Sequence, residues 1–159
     1  MKPGADFADV AKSFDWCSLW NSTNVSIANA SDTVVTFDTE ESKSPWGVSH
    51  SLVTNTNRLT FLTPGFRIVG AHVQFAANAN GSRRQTYIRL NGSNVLAIDY
   101  SPPVGGGIPT AYTLIRGYYF AANDYIELIV FQDSGGALNL TTDGVDGRNL
   151  WSFGNSVIF

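Results

Sequence analysis

Apolar and polar residues alternate along most of this chain, and the pattern is clearest between residues 58 and 90. In the middle of that stretch one face carries Val69, Ala71, Val73 and Phe75, and the other carries Ile68, Gly70, His72 and Gln74. A period of two residues is that of a pleated strand with one packed side. Pro64-Gly65 and Asn80-Gly81 predict tight turns before and after it, because Pro fixes φ and Gly adopts positive φ. The stretch therefore predicts three consecutive strands, the last two forming a hairpin.

Segments of the same kind recur along the rest of the chain. They cover residues 33–38, 94–100, 111–121 and 125–132, and Asn91-Gly92 predicts a tight turn before the second of them. Residues 101–109 contain three prolines and a Gly triplet, which predict a loop. About nine or ten short strands without a convincing long helix are typical of a jelly roll or a similar sandwich. The sequence therefore predicts an all-β domain.

The segment 125–132 is apolar on both of its faces. Ile126, Leu128 and Val130 would face one way, and Tyr125, Ile129 and Phe131 the other. A two-sheet sandwich buries only one face of each sheet, so a second apolar face needs a partner. This pattern predicts self-association.

The N-terminal part has a different pattern. Phe7, Val10, Ala11 and Phe14 have helical spacing, and Trp16 and Trp20 follow them. We divide the chain accordingly into a docking arm, residues 1–24, and a sandwich domain, residues 25–159. A terminal turn folded onto its own domain fits the same spacing.

Composition narrows the possible functions. The chain has 159 residues, enough for one domain with a substantial core, and its net charge is −3. Without a basic patch, we expect no nucleic-acid partner. No apolar run approaches the roughly eighteen residues of a membrane span, and no signal peptide is visible, so we expect neither membrane association nor secretion. The single cysteine, Cys17, is expected to be a small buried side chain.

No set of residues has the spacing of a catalytic or metal site. His50 and His72 lie on different segments, and Asp143 and Asp146 lack the ligand spacing of an EF-hand. We therefore predict no enzymatic activity, no metal and no cofactor. Trp46 can serve either as a binding anchor or as a cap on the core.

Several short motifs, taken in order, carry a family resemblance. They are V-x-F-D-T-E (35–40), R-L-T-x-x-x-P-G (58–65), I-R-L-N-G (88–92), Ala-Asn-Asp (122–124) and Ser-Phe-Gly (152–154). Together they resemble the tumour necrosis factor and complement globular-head jelly roll, most of all the version found in small bacteriophage virion proteins. The resemblance covers residues 25–159, and Asn123 stands where that family usually has glycine.

The resemblance implies a ten-stranded jelly roll that forms a tight homotrimer. It also implies which aromatic residues line or flank the threefold contact. These are Tyr112, Tyr118, Tyr119, Phe120, Trp151, Phe153 and Phe159.

The resulting functional hypothesis is a trimeric capsid decoration protein, made in the host cytoplasm and located on the capsid surface of the virion. Its partners would be its own copies and the major capsid protein or another virion protein. The docking residues would be Phe7, Val10, Phe14, Trp16 and Trp20 of the arm. The alternative is a tail-fibre or spike module that recognises a host glycan or protein, with Trp46 or the 101–109 loop exposed at its tip.

Overall fold

A computed structural model describes residues 17–43 and 47–142 of the chain. This part contains twelve strands and no helix. The strands are β1 (Cys17–Trp20), β2 (Val25–Ile27), β3 (Thr33–Val34), β4 (Thr39–Lys43), β5 (Val48–Ser49), β6 (Leu59–Phe61), β7 (Gly65–Phe75), β8 (Arg84–Leu90), β9 (Asn94–Ser101), β10 (Thr110–Phe120), β11 (Tyr125–Gln132) and β12 (Leu138–Leu140).

The strands form two main sheets and one small pair, and every pairing is antiparallel. The inner sheet has the order β10-β7-β12-β2. The outer sheet has the order β5-β6-β11-β8-β9, with β3 also paired to β11. β1 and β4 form the separate pair. The all-β prediction is confirmed.

The core lies between the two sheets. From β7 it takes the four predicted residues Val69, Ala71, Val73 and Phe75, and from β11 it takes Ile126, Leu128 and Val130. The rings of Phe61 and Phe120 stack at a centroid distance of 4.0 Å and link a strand of the outer sheet to one of the inner sheet. The predicted faces of these strands are therefore correct.

The partners of two long strands differ from the prediction. β7 pairs with β10 and not with β8, so the turn at Asn80-Gly81 carries the chain from the inner to the outer sheet. β10 and β11 are likewise consecutive in the chain but lie in different sheets. A two-residue period specifies which side of a strand is buried, and it carries no information about the neighbouring strand.

The hairpin between β8 and β9 is as predicted. Asn91 and Gly92 have φ of 51° and 73°, the positive values that a tight two-residue turn requires. The Asn91 side chain also holds the start of β11, since its Oδ1 accepts from the Tyr125 amide at 2.9 Å.

Residues 17–20 belong to the sandwich, although the sequence suggested that the arm extends to residue 24. Cys17 and Leu19 of β1 are buried in the core cluster, and Trp20 packs against it. β4, which has no apolar alternation, is a strand because it pairs with β1. Tertiary pairing has overridden local propensity here.

Asp133 stabilises the turn at Asn80-Gly81 that connects the two sheets. Its carboxylate accepts from Ser82 Oγ at 2.6 Å and from the amides of Ser82 and Arg83, each at 2.9 Å. It also lies 3.5 Å from Nη1 of Arg84, whose side chain is fully buried. The hydrogen bond from Ser82 is the largest of the causes that lower the pKa of Asp133. Folding therefore favours the charged carboxylate.

We expect Asp133→Ala to lower the thermal midpoint by roughly 2–4 °C at pH 7, since it leaves several donors without their acceptor. Because the pKa is lower in the folded state, this stabilisation is present above the unfolded pKa and is lost as pH falls through the folded one. The difference from wild type should therefore shrink below about pH 4. Thermal melts between pH 2.5 and 7 measure it, with Asp99→Ala on exposed β9 as the charge-matched control. A difference that grows on acidification would contradict this account.

Candidate interaction surfaces

The solvent-facing side of the β7–β10 pair is apolar. Phe66, Ile68, Ile115 and Tyr119 are 54%, 44%, 71% and 65% exposed, and we call them the sheet-face patch. Four large apolar side chains exposed on one sheet face are the usual sign of an interaction surface.

Register explains the shape of the sheet-face patch. Tyr119 lies opposite Phe66, Gly117 opposite Ile68, and Ile115 opposite Gly70. The Phe66 ring lies over Gly117, where an added Cβ would be only 2.7 Å from its Cζ atom. Two of the three cross-strand pairs thus set a large apolar residue beside a glycine, and the third sets Tyr119 beside Phe66.

His72 borders the sheet-face patch. Its Nδ1 is 3.0 Å from Thr113 Oγ1 on the facing strand, and desolvation lowers the pKa of the imidazole. The ring is therefore predominantly neutral at pH 7, and this side of the patch adds no charge.

A second apolar surface lies on β9, at one edge of the outer sheet. Val95, Ile98 and Tyr100 are each at least half exposed there, and we call them the edge-strand patch. The molecule thus carries two different apolar surfaces, one on each sheet.

The aromatic residues expected at a threefold contact lie in different environments. Tyr112 is buried, with its hydroxyl 2.7 Å from Ser101 Oγ and donating to the Arg84 carbonyl at 2.9 Å. Phe120 is buried in the core, and Tyr118 is half-buried against it at 5.0 Å between ring centroids. Tyr119 belongs to the sheet-face patch. Trp151, Phe153 and Phe159 lie outside the described residues.

Sequence reasoning did not select Phe66, Ile68 or Ile115. The alternation places Ile68 on the strand face opposite the core, so its exposure follows from the pattern. The prediction of self-association rests instead on the segment 125–132. Its outward Ile129 is fully buried within the single chain, so it does not by itself require another copy.

Of the predicted docking residues, Trp20 lies in β1 and is partly buried against the core. Phe7, Val10, Phe14 and Trp16 lie outside the described residues, as do Trp46, Asp143 and Asp146. In the 101–109 loop, which is described, Val104 and Ile108 are exposed.

The outer sheet has a polar network on its outward side. Glu127, whose side chain is 4% exposed, accepts from Asn57 Nδ2 at 2.6 Å, from Arg89 Nη2 at 2.9 Å and from Arg58 Nε at 3.4 Å. Nearby, the hydroxyl of Tyr87 donates to Asp32 at 2.8 Å, and burial together with this bond raises the pKa of Tyr87 to about 12. This face therefore differs in character from the apolar inner sheet.

Within the described ranges, no three His, Cys, Asp or Glu side chains come together as metal ligands, and the Cys17 side chain is buried. No helix there is long and apolar enough to cross a membrane.

Solved structures share this fold at low sequence identity. Murine APRIL at pH 5.0 aligns with a TM-score of 0.65 and 11% identity, over 91% of this chain and 99% of that one. Eiger TNF from S. frugiperda aligns with a TM-score of 0.63 and 10% identity, over 91% and 92%. The fold is a tumour necrosis factor-like jelly roll. No protein-family model and no curated protein matches the sequence.

Within this TNF-like jelly roll, Glu127 accepts hydrogen bonds from two arginines on the outer sheet, Arg58 and Arg89. In Glu127→Gln the side-chain NH₂ group, which is a donor, would replace one of the two carboxylate oxygens. It would then face the donor groups of Asn57 and the arginines that bind the carboxylate in the wild type. We expect the free energy of unfolding to fall by about 1–3 kcal/mol, the range for leaving a buried hydrogen-bonding group unsatisfied, because the arginine partners are themselves partly exposed.

Urea denaturation measures this effect, and Asp99→Asn on exposed β9 is the control with the same change of charge. If the two variants lost equal stability, the buried network would not be the cause.

Proposed function

We propose that this protein is a homotrimeric structural protein of a bacteriophage virion, which decorates the capsid surface. The observation that carries the proposal is the sheet-face patch, because four exposed apolar side chains on a regular sheet suit a large protein contact. The TNF-like jelly roll is compatible with a trimeric β-sandwich. The virion setting rests on the resemblance of the sequence motifs.

The two apolar patches favour a ring over a twofold dimer. A twofold contact joins a surface to itself, whereas a closed ring joins two different surfaces of neighbouring copies. Here the sheet-face patch of one copy would bind the edge-strand patch of the next. Three copies follow from the family resemblance.

The N-terminal residues would anchor the trimer to the capsid. Since Cys17 and Leu19 are part of the core, the proposed docking segment would comprise residues 1–16. Phe7, Val10 and Phe14 would then supply the apolar contact with the major capsid protein or another virion protein.

The rival function is a tail-fibre or spike module for receptor binding. One observation favours it, namely a polar depression on the outer sheet.

We expect Ile115→Glu to convert the trimer into monomers at about 10 µM protein, because the interface would have to bury an unpaired carboxylate. Light scattering after size-exclusion chromatography measures the mass. Val53→Glu introduces the same charge at an exposed loop residue away from both patches, and it should remain trimeric. A monomeric wild type, or an Ile115→Glu variant that stays trimeric, would refute the proposed interface.

We expect substitution of Phe7, Val10 and Phe14 by Ser to leave the trimer intact and to weaken capsid binding at least about a hundredfold, since three apolar anchors are lost. Cosedimentation with capsids stripped of accessory proteins is the assay. The matched control replaces the exposed Leu52, Val53 and Leu62 by Ser. Equal binding by the arm variant and the wild type would remove the arm from the docking hypothesis.

A further inference from the structure

A polar depression of about 250 Å³ lies on the outer sheet, where β5, β6 and the start of β11 meet the 50–58 loop. Hydroxyl and amide groups line it, from Ser49, Ser51, Thr54, Thr60 and Asn55. Arg58 and Tyr125 complete the lining. Its volume is below the roughly 300–1,000 Å³ of sites that enclose drug-sized ligands, so it suits a single ring with polar substituents.

Arg58 presents an oriented cation in this depression. Its guanidinium carbon lies 4.1 Å from the centroid of the Tyr125 ring, and its Nε is 3.4 Å from Glu127 Oε1. Its side chain is 37% exposed, and its two Nη groups donate to none of the described residues. The guanidinium is thus held by the hydrogen bond of its Nε and by the contact of its planar face with the Tyr125 ring. Its two Nη groups can then bind a carboxylate as a fork.

The local charge also favours an anion. Glu127 compensates one of its two arginine neighbours, Arg58 and Arg89, so that one positive charge is left over. Because the Glu127 side chain is 4% exposed, its carboxylate is shielded from a ligand in the depression. A ligand that carries a carboxylate is therefore preferred over a neutral analogue.

The loop beside the depression is held by its own hydrogen bonds. Ser51 Oγ accepts from the amides of Val53 and Thr54 at 3.2 and 3.1 Å. The Arg58 amide donates to the Asn55 carbonyl at 2.9 Å, and His50 Nδ1 lies 2.9 Å from the Arg58 carbonyl. The polar groups are thus pre-organised, which lowers the entropy lost on binding.

We infer that this depression binds an acidic monosaccharide unit, with the sugar carboxylate on Arg58, the ring hydroxyls on the Ser and Thr hydroxyls and Asn55, and the stacked Arg58–Tyr125 pair as the wall beside the sugar ring. A sugar fits because the lining combines hydroxyl and amide groups, which can both donate and accept, with one cation and one aromatic ring.

The position of the depression suits display on an assembly. It lies at the β5–β6 side of the outer sheet, whereas the edge-strand patch is at the opposite edge and the sheet-face patch is on the other sheet. The site would therefore stay open in the proposed trimer. Several weak sites on one particle can bind a glycan-covered surface with useful avidity.

The test is an NMR titration of the ¹⁵N-labelled full-length protein with three ligands: methyl glucuronide, methyl glucoside and acetate. We expect saturable shifts in residues 49–60 and at Tyr125 with methyl glucuronide, and a Kd on the order of 1 mM for so small a ligand. Methyl glucoside and acetate should each bind at least roughly tenfold more weakly. Equal affinity for glucoside would refute the role of the carboxylate, and equal affinity for acetate would refute the sugar.

Variants locate the site. Arg58→Gln should weaken glucuronide binding roughly tenfold or more, and Arg58→Lys should fall between it and the wild type, because Lys keeps the charge and loses the fork. Thr60→Val, a nearly isosteric change, removes one lining hydroxyl and leaves the Glu127 network intact. It should also weaken glucuronide binding.

The matched control is Arg83→Gln. Arg83 lies over Phe131 at 4.2 Å, the same arrangement at the other end of β11, and it lines no part of the depression. Unchanged binding in Arg83→Gln is expected, and an equal loss in Arg83→Gln and Arg58→Gln would overturn the assignment. The solution mass of each sample shows whether it is still a trimer, so that a loss of glucuronide binding is distinguished from a loss of assembly.

Discussion

The eleven-residue pairing of β7 with β10 is the interaction on which the rest of the architecture depends. Its inward side places Val69, Ala71, Val73 and Phe75 in the core, opposite the strands of the outer sheet. Its outward side, by the same alternation, exposes Phe66, Ile68 and Ile115. A slip of one residue would exchange the two sides. The fold and the proposed contact between copies are therefore fixed by one register.

The two sheets differ in their external chemistry. The inner sheet exposes the sheet-face patch, whereas the outer sheet, apart from the edge-strand patch on β9, carries the Glu127 network, the Tyr87–Asp32 hydrogen bond and two arginine–aromatic contacts. Association through the two apolar patches would leave the β5–β6 side of the outer sheet accessible to solvent. This arrangement makes it possible for one small domain both to assemble and to recognise a ligand.

Sequence patterns predicted what is local in this structure. The core face of β7 and the Asn91-Gly92 turn follow from residues that are neighbours in the chain. By contrast, the pairing of β7 with β10, the burial of Tyr112 and the site around Arg58 depend on residues far apart in sequence. Glu127, for example, accepts from Asn57 and Arg89. Such networks leave no periodic signal, because each member is an ordinary polar residue in its own segment.

The pairing of β2 with β12 has a consequence for synthesis. Ile27 finds its strand partner only at Leu138, and the neighbouring loop residues Asn24 and Asn29 accept from the amides of Thr142 and Gly135. During translation, β2 must therefore wait with unpaired backbone groups until almost the whole domain has left the ribosome. Contacts of such long range form slowly, and unpaired strands are prone to aggregate. The nascent chain thus keeps β2 without its strand partner until β12 emerges.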